Sequence, residues 1–279
     1  MSVLPTIGFL GAGRIGEPMA QHLLAAGHRV RLYTRRAEVG DRLAAAGAEL
    51  VDRVRDIADA DVVVSCLFSD AQVLEVLPEI VGAMRADAIL ISHTTGTPTT
   101  LRRLDEFAPT GKAAIVDGPF SGTADSARAG RLVVYLGGEP EHVATARQVV
   151  RAYADPVITT GARGTAMLMK LLNNLLFATI SQVTLRGLAA GRAVGIEDSA
   201  LLEALAVSAG GSNAGRHIAA VGSPDQYTET VSPFLRKDLA ACREVAAEVG
   251  VDLSELLAIA YAGPMDLGEI STLENGVVR

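Results

Sequence analysis

The feature that most constrains the fold of this chain is a glycine-rich turn that directly follows a short apolar run. The run Thr6–Leu10 has the composition of a buried parallel strand. It leads into a G-x-G-x-x-G turn made of Gly11, Ala12, Gly13, Arg14, Ile15 and Gly16. In such a strand–turn–helix the first glycine permits the tight turn, the second admits a pyrophosphate to the backbone, and the third allows close helix–strand packing. The pattern predicts a dinucleotide-binding βαβ unit.

The first half of the chain keeps alternating between apolar runs and helical patterns. Further strands are predicted at Arg29–Tyr33, Asp61–Leu67, Ala88–Ile91, Ala113–Val116 and Leu132–Leu136. Helices are predicted at Gly16–Ala26, Ala37–Ala46, Ala71–Met84 and Pro98–Phe107. This alternation predicts a mostly parallel α/β sheet of the Rossmann type with helices on both faces.

The strand pattern stops near residue 160. Four helices are predicted beyond it, at Gly164–Val194, Ser199–Ser208, Ser232–Val249 and Ser254–Met265. The Ser232-Pro233 pair is typical of a helix start, with a capping hydroxyl and proline at the first helical position. We therefore expect a Rossmann-type domain over residues 1–162 and an all-helical domain over 163–279, joined by the long helix.

Composition excludes several classes of function. The 25 Lys and Arg against 32 Asp and Glu, with 4% aromatic residues, argue against a nucleic-acid interface. Neither the two cysteines nor the five histidines show metal-ligand spacing, and so few thiols favour a reducing compartment. The longest apolar stretch is interrupted by Lys170, Asn173 and Asn174, which makes it a poor membrane span. We expect a cytoplasmic protein with no metal and no membrane partner.

The end of the second predicted strand indicates which dinucleotide is preferred. NAD-binding sites usually carry an acidic residue there for the ribose 2′-hydroxyl. This chain has Thr34, Arg35 and Arg36 instead, and arginine can bind a 2′-phosphate with two parallel hydrogen bonds. NADP is therefore predicted. The alternative is that one or both arginines simply face solvent.

Polar residues interrupt the long apolar helix in a second notable pattern. Lys170 and Asn174 are four residues apart and share a helix face. A partly desolvated lysine has a lowered pKa and can exchange a proton near neutrality. The alternative is a polar stripe that includes Ser181 and faces water.

Four patterns occur in a fixed order along almost the whole chain. They are G-x-G-x-x-G-x-P-M at Gly11–Met19, D-G-P-F-S-G-T at Asp117–Thr123, K-L-L-N-N at Lys170–Asn174 and K-D-L at Lys237–Leu239. Together they resemble the motifs of the β-hydroxyacid dehydrogenases, the family of 3-hydroxyisobutyrate dehydrogenase, tartronate semialdehyde reductase and 6-phosphogluconate dehydrogenase. Thr34-Arg35-Arg36 falls where NADP-binding relatives often have Asn-Arg-Thr.

This resemblance implies a role for each matching residue. Lys170 would be the catalytic acid/base, Ser121 and Gly122 would bind the substrate carboxylate and hydroxyl, and Asn174 would help to position them. Lys237 and Thr95 would lie near the nicotinamide end of the cofactor. Cys66, Leu67 and Phe68 would form a cofactor-contacting turn.

Several residues depart from the family pattern. Thr123 replaces a glycine of the substrate loop, and Ala166 replaces a glycine four residues before Lys170. Asn173 and Phe177 differ from the 6-phosphogluconate branch, which argues against a sugar-phosphate substrate.

The resulting hypothesis is hydride transfer between NADP and a small β-hydroxyacid or aldehyde-acid that carries a carboxylate, with no metal. One alternative is an imine reductase, although imine reductases commonly lack the catalytic lysine. Another is a catalytically silent NADP-binding protein. The resemblance also implies a homodimer or homotetramer, because the long helix would expose apolar surface on an isolated subunit.

Overall fold

The computed structural model describes residues 4–109 and 114–268. The chain divides into two compact units, of which the first ends at Lys170 and the second begins at Leu171. The first unit carries the sheet, and the second consists of helices and connecting loops in its described part. The predicted fold class, an α/β Rossmann-type region followed by an all-helical region, is confirmed.

The sheet has nine strands within the described residues. They are β1 (Ile7–Leu10), β2 (Val30–Tyr33), β3 (Glu49–Leu50), β4 (Val62–Ser65), β5 (Ile89–Ser92), β6 (Ile115–Asp117), β7 (Phe120–Ser121), β8 (Leu132–Gly137) and β9 (Ala154–Gly161). Their order is β3-β2-β1-β4-β5-β6-β8-β7, and β9 also pairs with β8. The strands from β3 to β6 in that order are parallel, whereas β8 runs antiparallel to β6 and β7. The apolar runs did not predict the short strands β3 and β7, or the largely exposed β9.

Helices cover both faces of this sheet. They are α1 (Gly16–Ala25), α2 (Ala37–Ala45), α3 (Asp70–Val81), α4 (Pro98–Leu104), α5 (Ala124–Arg128) and α6 (Pro140–Val150). One apolar core joins the sheet to α1, α2 and α6, and a second joins it to α3 and α4. In β4, Val62 and Val64 face the first core while Val63 faces the second. A central strand buried on both faces explains why its sequence is a continuous apolar run.

The second unit is built on α7 (Thr165–Ala193), whose first turns belong to the first unit. The remaining helices are α8 (Asp198–Ala206), α9 (Asn213–Val221), α10 (Pro224–Val249) and α11 (Ser254–Tyr261). Helix α7 is long and apolar enough to cross a membrane by length and composition alone, but half of its most apolar window is buried inside the protein. The core helix of a soluble protein has the same properties.

The predicted helix start at Ser232-Pro233 is wrong. The capping serine of helix α10 lies nine residues earlier, where the Ser223 hydroxyl accepts a hydrogen bond of 3.1 Å from the Gln226 N–H and Pro224 occupies the first turn. Pro233 lies inside the helix. Both serine–proline pairs have the same local signature, and burial of Tyr227 upstream of the second pair extends the packed face of the helix. Helix α9 was not predicted at all.

Candidate active site

The glycine-rich turn, the end of β2 and the loop after β4 border a cavity of about 400 Å³ in the first unit. Nine residues predicted to bind the cofactor line it: Gly11, Ala12, Gly13, Thr34, Arg35, Arg36, Cys66, Leu67 and Phe68. Six others were not predicted: Leu10, Tyr33, Val54, Gln72, Glu75 and Val76. Of these, Gln72 and Val76 are one helical turn apart on α3, a spacing that was visible in the sequence. The predicted residues Arg14, Ile15, Gly16 and Thr95 do not line this cavity.

The three glycines of the turn have three distinct environments. Gly11 has φ +92°, and a Cβ there would lie 2.2 Å from the Cys66 carbonyl oxygen. A Cβ on Gly16 would lie 2.1 Å from the Gly11 carbonyl oxygen, whereas a Cβ on Gly13 would meet nothing within 4 Å. Gly11 and Gly16 are therefore required by the protein's own packing. The free space above Gly13 fits a ligand phosphate that approaches the backbone, so this loop suits a dinucleotide.

Arg35 and Arg36 project from the turn between β2 and α2 and are both exposed. The Thr34 hydroxyl accepts a hydrogen bond of 3.2 Å from the Arg36 N–H, which orders this turn. Among the described residues, neither guanidinium group forms a hydrogen bond or an ion pair. Because both groups line the cavity, their donors are available to an anion bound there.

The loops after β4 and β5 are tied together beside this cavity. The Thr94 hydroxyl donates a hydrogen bond of 3.1 Å to the Leu67 carbonyl, and the Thr97 N–H donates one of 3.0 Å to Asp70 Oδ2. Gly96 packs so closely on the same carboxylate that a Cβ on it would lie 1.8 Å from Asp70 Oδ1. The half-buried Thr95 belongs to this braced loop, although it lies outside the cavity lining.

Cys66 is the one cysteine in the cavity lining. Desolvation raises the pKa of its thiol to about 12. The thiol is therefore protonated at neutral pH and is suited neither to nucleophilic attack nor to metal binding. The described residues contain no group of three or more histidine, cysteine or acidic side chains that could hold a metal ion.

The predicted substrate loop follows β6. Ser121 is half-buried in β7, and Gly122 has φ +137°, a conformation that favours glycine. Thr123 caps α5, because its hydroxyl accepts a hydrogen bond of 3.3 Å from the Ser126 N–H. Thr123, which replaces a glycine of the family pattern, therefore stabilises the start of α5. This capping role is a structural reason for a threonine at this position.

The residue that opens this loop also contacts the start of α7. Asp117 is fully buried, and its carboxylate accepts hydrogen bonds of 2.7 Å from the Gly164 N–H, 2.9 Å from the Ala166 N–H and 3.0 Å from the Met167 N–H. Burial raises the pKa of Asp117, and these backbone donors oppose that effect. Lys170 lies half-buried in the second turn of the same helix. The structure thus brings the substrate loop and the Lys170 helix to one carboxylate, a relationship that sequence spacing did not reveal.

A buried histidine supports the other side of the loop. His93 bonds the Gly118 carbonyl through Nδ1 and lies 2.8 Å from the Tyr153 hydroxyl through Nε2. Because a carbonyl only accepts, Nδ1 carries the proton and Nε2 accepts from Tyr153. Desolvation lowers the pKa of His93 to about 4, so the ring is neutral at physiological pH.

The remaining predicted residues lie in the second unit. The Asn174 amide nitrogen donates a hydrogen bond of 2.7 Å to Asp238 Oδ2, and its oxygen accepts one of 3.0 Å from Asn173. Lys237 is 42% exposed on α10, with its Nζ 3.4 Å from Asp238 Oδ1. Asp238 is the aspartate of the K-D-L motif, to which the family resemblance assigned no role.

Comparison with known proteins identifies the family. Residues 6–161 match the model of the NAD binding domain of 6-phosphogluconate dehydrogenase. Residues 164–262 match the model described as the NAD-binding region of NADP-dependent 3-hydroxyisobutyrate dehydrogenase. The chain belongs to the β-hydroxyacid dehydrogenase family. It has the NAD(P)-binding Rossmann fold of these oxidoreductases, as the sequence motifs predicted.

Three individual relatives place the chain within the β-hydroxyacid dehydrogenases. It is 31% identical to the NAD-dependent L-serine dehydrogenase of Pseudomonas aeruginosa over 86% of this chain and 85% of that one. It is also 31% identical to the 3-hydroxyisobutyrate dehydrogenase of the same organism, over 74% of this chain and 70% of that one. The structure of Mycobacterium tuberculosis 3-hydroxyisobutyrate dehydrogenase with L-serine superposes with a TM-score of 0.81 at 25% identity, covering 92% of this chain and 91% of that one.

Proposed function

We propose that this chain transfers a hydride between NADP and a small β-hydroxyacid or aldehyde-acid, with Lys170 as the general acid/base. The observation that carries the proposal is the junction at Asp117, where the residue that opens the Gly118–Thr123 loop is hydrogen-bonded to the first turn of the Lys170 helix. That junction lies in the same unit as the phosphate-accepting turn. The named activities of the relatives, on 3-hydroxyisobutyrate and L-serine, support this class of substrate.

The chain's own residues would perform the proton transfer and the binding. When bound, the nicotinamide supplies or takes the hydride. In the direction of reduction, Lys170 Nζ donates a proton to the oxygen of the substrate carbonyl, and in oxidation it accepts the hydroxyl proton. The Ser121 hydroxyl and the Gly122 N–H are donors for the substrate carboxylate. Asn174, one turn beyond Lys170, orients the reacting oxygen.

The preference for NADP rests on Arg35 and Arg36. Both groups line the cavity, neither forms a hydrogen bond or an ion pair with a described side chain, and no acid follows β2 at the position that would bind a ribose 2′-hydroxyl. One relative is described as NAD-dependent, so cofactor preference differs from one family member to another and has to be measured for this chain.

We further propose that this enzyme is a cytoplasmic homo-oligomer, with residues 1–162 binding the cofactor and residues 163–279 serving substrate binding and association. Five apolar side chains follow one face of α7 at helical spacing and are between 39% and 56% exposed: Met169, Leu172, Leu176, Ile180 and Val183. An exposed apolar stripe of this length favours association with another chain.

The test is NADPH oxidation by the wild type and by Lys170→Ala with glyoxylate, succinic semialdehyde, methylmalonate semialdehyde, tartronate semialdehyde and one cyclic imine. L-serine and 3-hydroxyisobutyrate are assayed with NADP+ in the opposite direction. We expect aldehyde-acid or hydroxyacid turnover that falls at least about a hundredfold in Lys170→Ala, within the range of general acid–base catalysis, while NADPH affinity is retained. Val194→Ala, which truncates a 75% exposed side chain just beyond the C-terminal end of the same helix, serves as the control and should keep activity.

Imine turnover that survives in Lys170→Ala would instead favour an imine reductase. Tight NADPH binding without turnover of any of these compounds would favour a silent binding protein.

A further inference from the structure

Asp117 connects the substrate loop to the start of α7, two segments whose relative position matters for the proposed reaction. Its backbone leads directly into the Gly118–Thr123 substrate loop, and its side chain accepts the three hydrogen bonds from the start of α7. Oδ1 takes the Gly164 N–H, and Oδ2 takes the N–H groups of Ala166 and Met167. Main-chain donors in the first turn of a helix have no acceptor within the helix, so these bonds fix that turn on the sheet.

The anchored residues lie directly below the proposed acid/base. Ala166 precedes Lys170 by four positions and Met167 precedes it by three, so both are its neighbours on the helix surface. A rotation or shift of the first turn therefore moves Lys170 with it. The negative charge of Asp117 also lies at the positive end of the helix dipole, which favours the ionised carboxylate at this place.

The residues on either side of Asp117 leave space for its carboxylate next to the start of α7. Ser65 and Ser92 occupy the register positions beside it in β4 and β5, and neither buried hydroxyl hydrogen-bonds any described group. On the other side is Gly137, where a Cβ would lie 2.7 Å from Asp117 Oδ1 and 2.8 Å from the Ala162 carbonyl oxygen. The pocket thus admits the carboxylate only because Gly137 has no side chain, and three of its hydrogen bonds go to the backbone at the start of α7.

We propose that Asp117 is a positioning residue that sets Lys170 relative to the Ser121–Gly122 loop. The inference rests on the proposed function, because it assigns Asp117 a role only through Lys170. It goes beyond a structural cap, since a cap would affect stability alone, whereas a positioning residue controls the chemical step. Asp117→Asn keeps the size of the side chain but turns one oxygen into a donor, which leaves at least one of the three N–H groups facing another donor.

The control is Asp61→Asn, the same substitution at the opposite end of the same sheet. Asp61 also accepts a backbone hydrogen bond, 2.7 Å from the Thr6 N–H, and pairs with Arg85 at 2.6 Å, but it contacts neither α7 nor the cavity. For Asp117→Asn we expect kcat to fall by about tenfold or more, as misplacement of a catalytic group does, with NADPH affinity changed less than about threefold. The pH–rate limb assigned to Lys170 in the wild type should also shift. Asp61→Asn should keep kcat and the pH profile.

Hydrogen exchange measured by mass spectrometry gives a readout that does not depend on turnover. Peptides covering residues 162–168 should exchange faster in Asp117→Asn and at the wild-type rate in Asp61→Asn. If Asp117→Asn does not fold, Asp117→Glu is used instead, because it retains the negative charge. The longer glutamate side chain displaces the carboxylate from the N–H groups of α7, so we expect the same loss of kcat and the same faster exchange.

Two results would overturn the inference. One is that a folded Asp117 variant keeps the wild-type kcat and pH profile although the separate Lys170→Ala variant is inactive. The other is a loss of kcat without faster exchange at residues 162–168. If Lys170→Ala itself retains full activity, the proposed function has failed, and that result is distinct from either of these.

Discussion

The carboxylate of Asp238 accepts a hydrogen bond of 2.7 Å from the amide nitrogen of Asn174 and thereby links α10 to α7. Asn174 is only 7% exposed, and its oxygen already accepts a bond from Asn173. Both ends of the Asn174 amide are therefore fixed. Its orientation depends on a residue that lies 64 positions away in the sequence.

Substitution of Asp238 should impair activity through Asn174. Asp238→Ala leaves the buried Asn174 donor without its acceptor and frees the amide to rotate, so we expect kcat/KM to fall about tenfold or more, with a loss of about 1–3 kcal/mol in the free energy of unfolding. Steady-state kinetics and chemical denaturation measure the two effects. Asp266→Ala, whose side chain is 86% exposed, is the control. Unchanged kcat/KM in Asp238→Ala would show that Asn174 needs no such support.

The glycines of the cofactor turn should respond to alanine in opposite ways. Gly16→Ala places a methyl group against the Gly11 carbonyl, so it should destabilise the fold by about 1–3 kcal/mol, the usual cost of overpacking. Gly13→Ala meets free space in the protein and should leave the melting temperature nearly unchanged, while NADPH affinity falls. Thermal melts and fluorescence titration separate the two. Equal loss of stability in both variants would contradict this assignment.

Removal of Arg35 and Arg36 should change cofactor preference. Each guanidinium is free to bind a 2′-phosphate, so Arg35→Ala and Arg36→Ala should each weaken NADPH binding about tenfold, the effect of one charge-assisted contact, and leave NADH binding nearly unchanged. Arg85→Ala, which removes an arginine that lies outside the cavity lining, should change neither affinity. If the arginine variants bind NADPH and NADH with unchanged affinities, both side chains simply face solvent.

His93 should make stability depend on pH below neutrality. Its pKa in the folded protein is about 4 against an ordinary value near 6.5, so the unfolded chain binds more protons between these values. Stability is therefore complete above about pH 6.5 and is lost as the pH falls towards 4, by up to about 3 kcal/mol from this group. Urea unfolding at pH 4.5–7.5 measures the slope. His93→Gln should flatten it, and a wild-type slope in that variant would assign the effect to other groups.

Motifs with strict backbone requirements were predictable from the sequence. Gly11 and Gly16 contact other backbone atoms, and such contacts tolerate only glycine, so the turn was recognisable from its residues alone. The long helix was also predicted to within one residue at each end, because apolar residues recur along it over many turns.

Contacts between distant segments were not predictable in the same way. The bonds from Asp117 to the start of α7 span about 50 positions, and nothing in either segment specifies the other. The Ser232-Pro233 error has a related cause. A capping signature shows that a helix is able to start at a residue, whereas the packing of Tyr227 against the rest of the second unit decides that it has already started.

The close approach of Gly96 to Asp70 has a consequence for how this sequence is able to change. Because a Cβ at position 96 would occupy the place of a carboxylate oxygen, the two positions cannot vary independently. A relative that acquires a larger residue at 96 would need a smaller one at 70, and would then lose the acceptor of the Thr97 N–H. In an alignment of relatives, positions 70 and 96 should therefore covary. Relatives that differ at both positions should have a different conformation of the loop after β5.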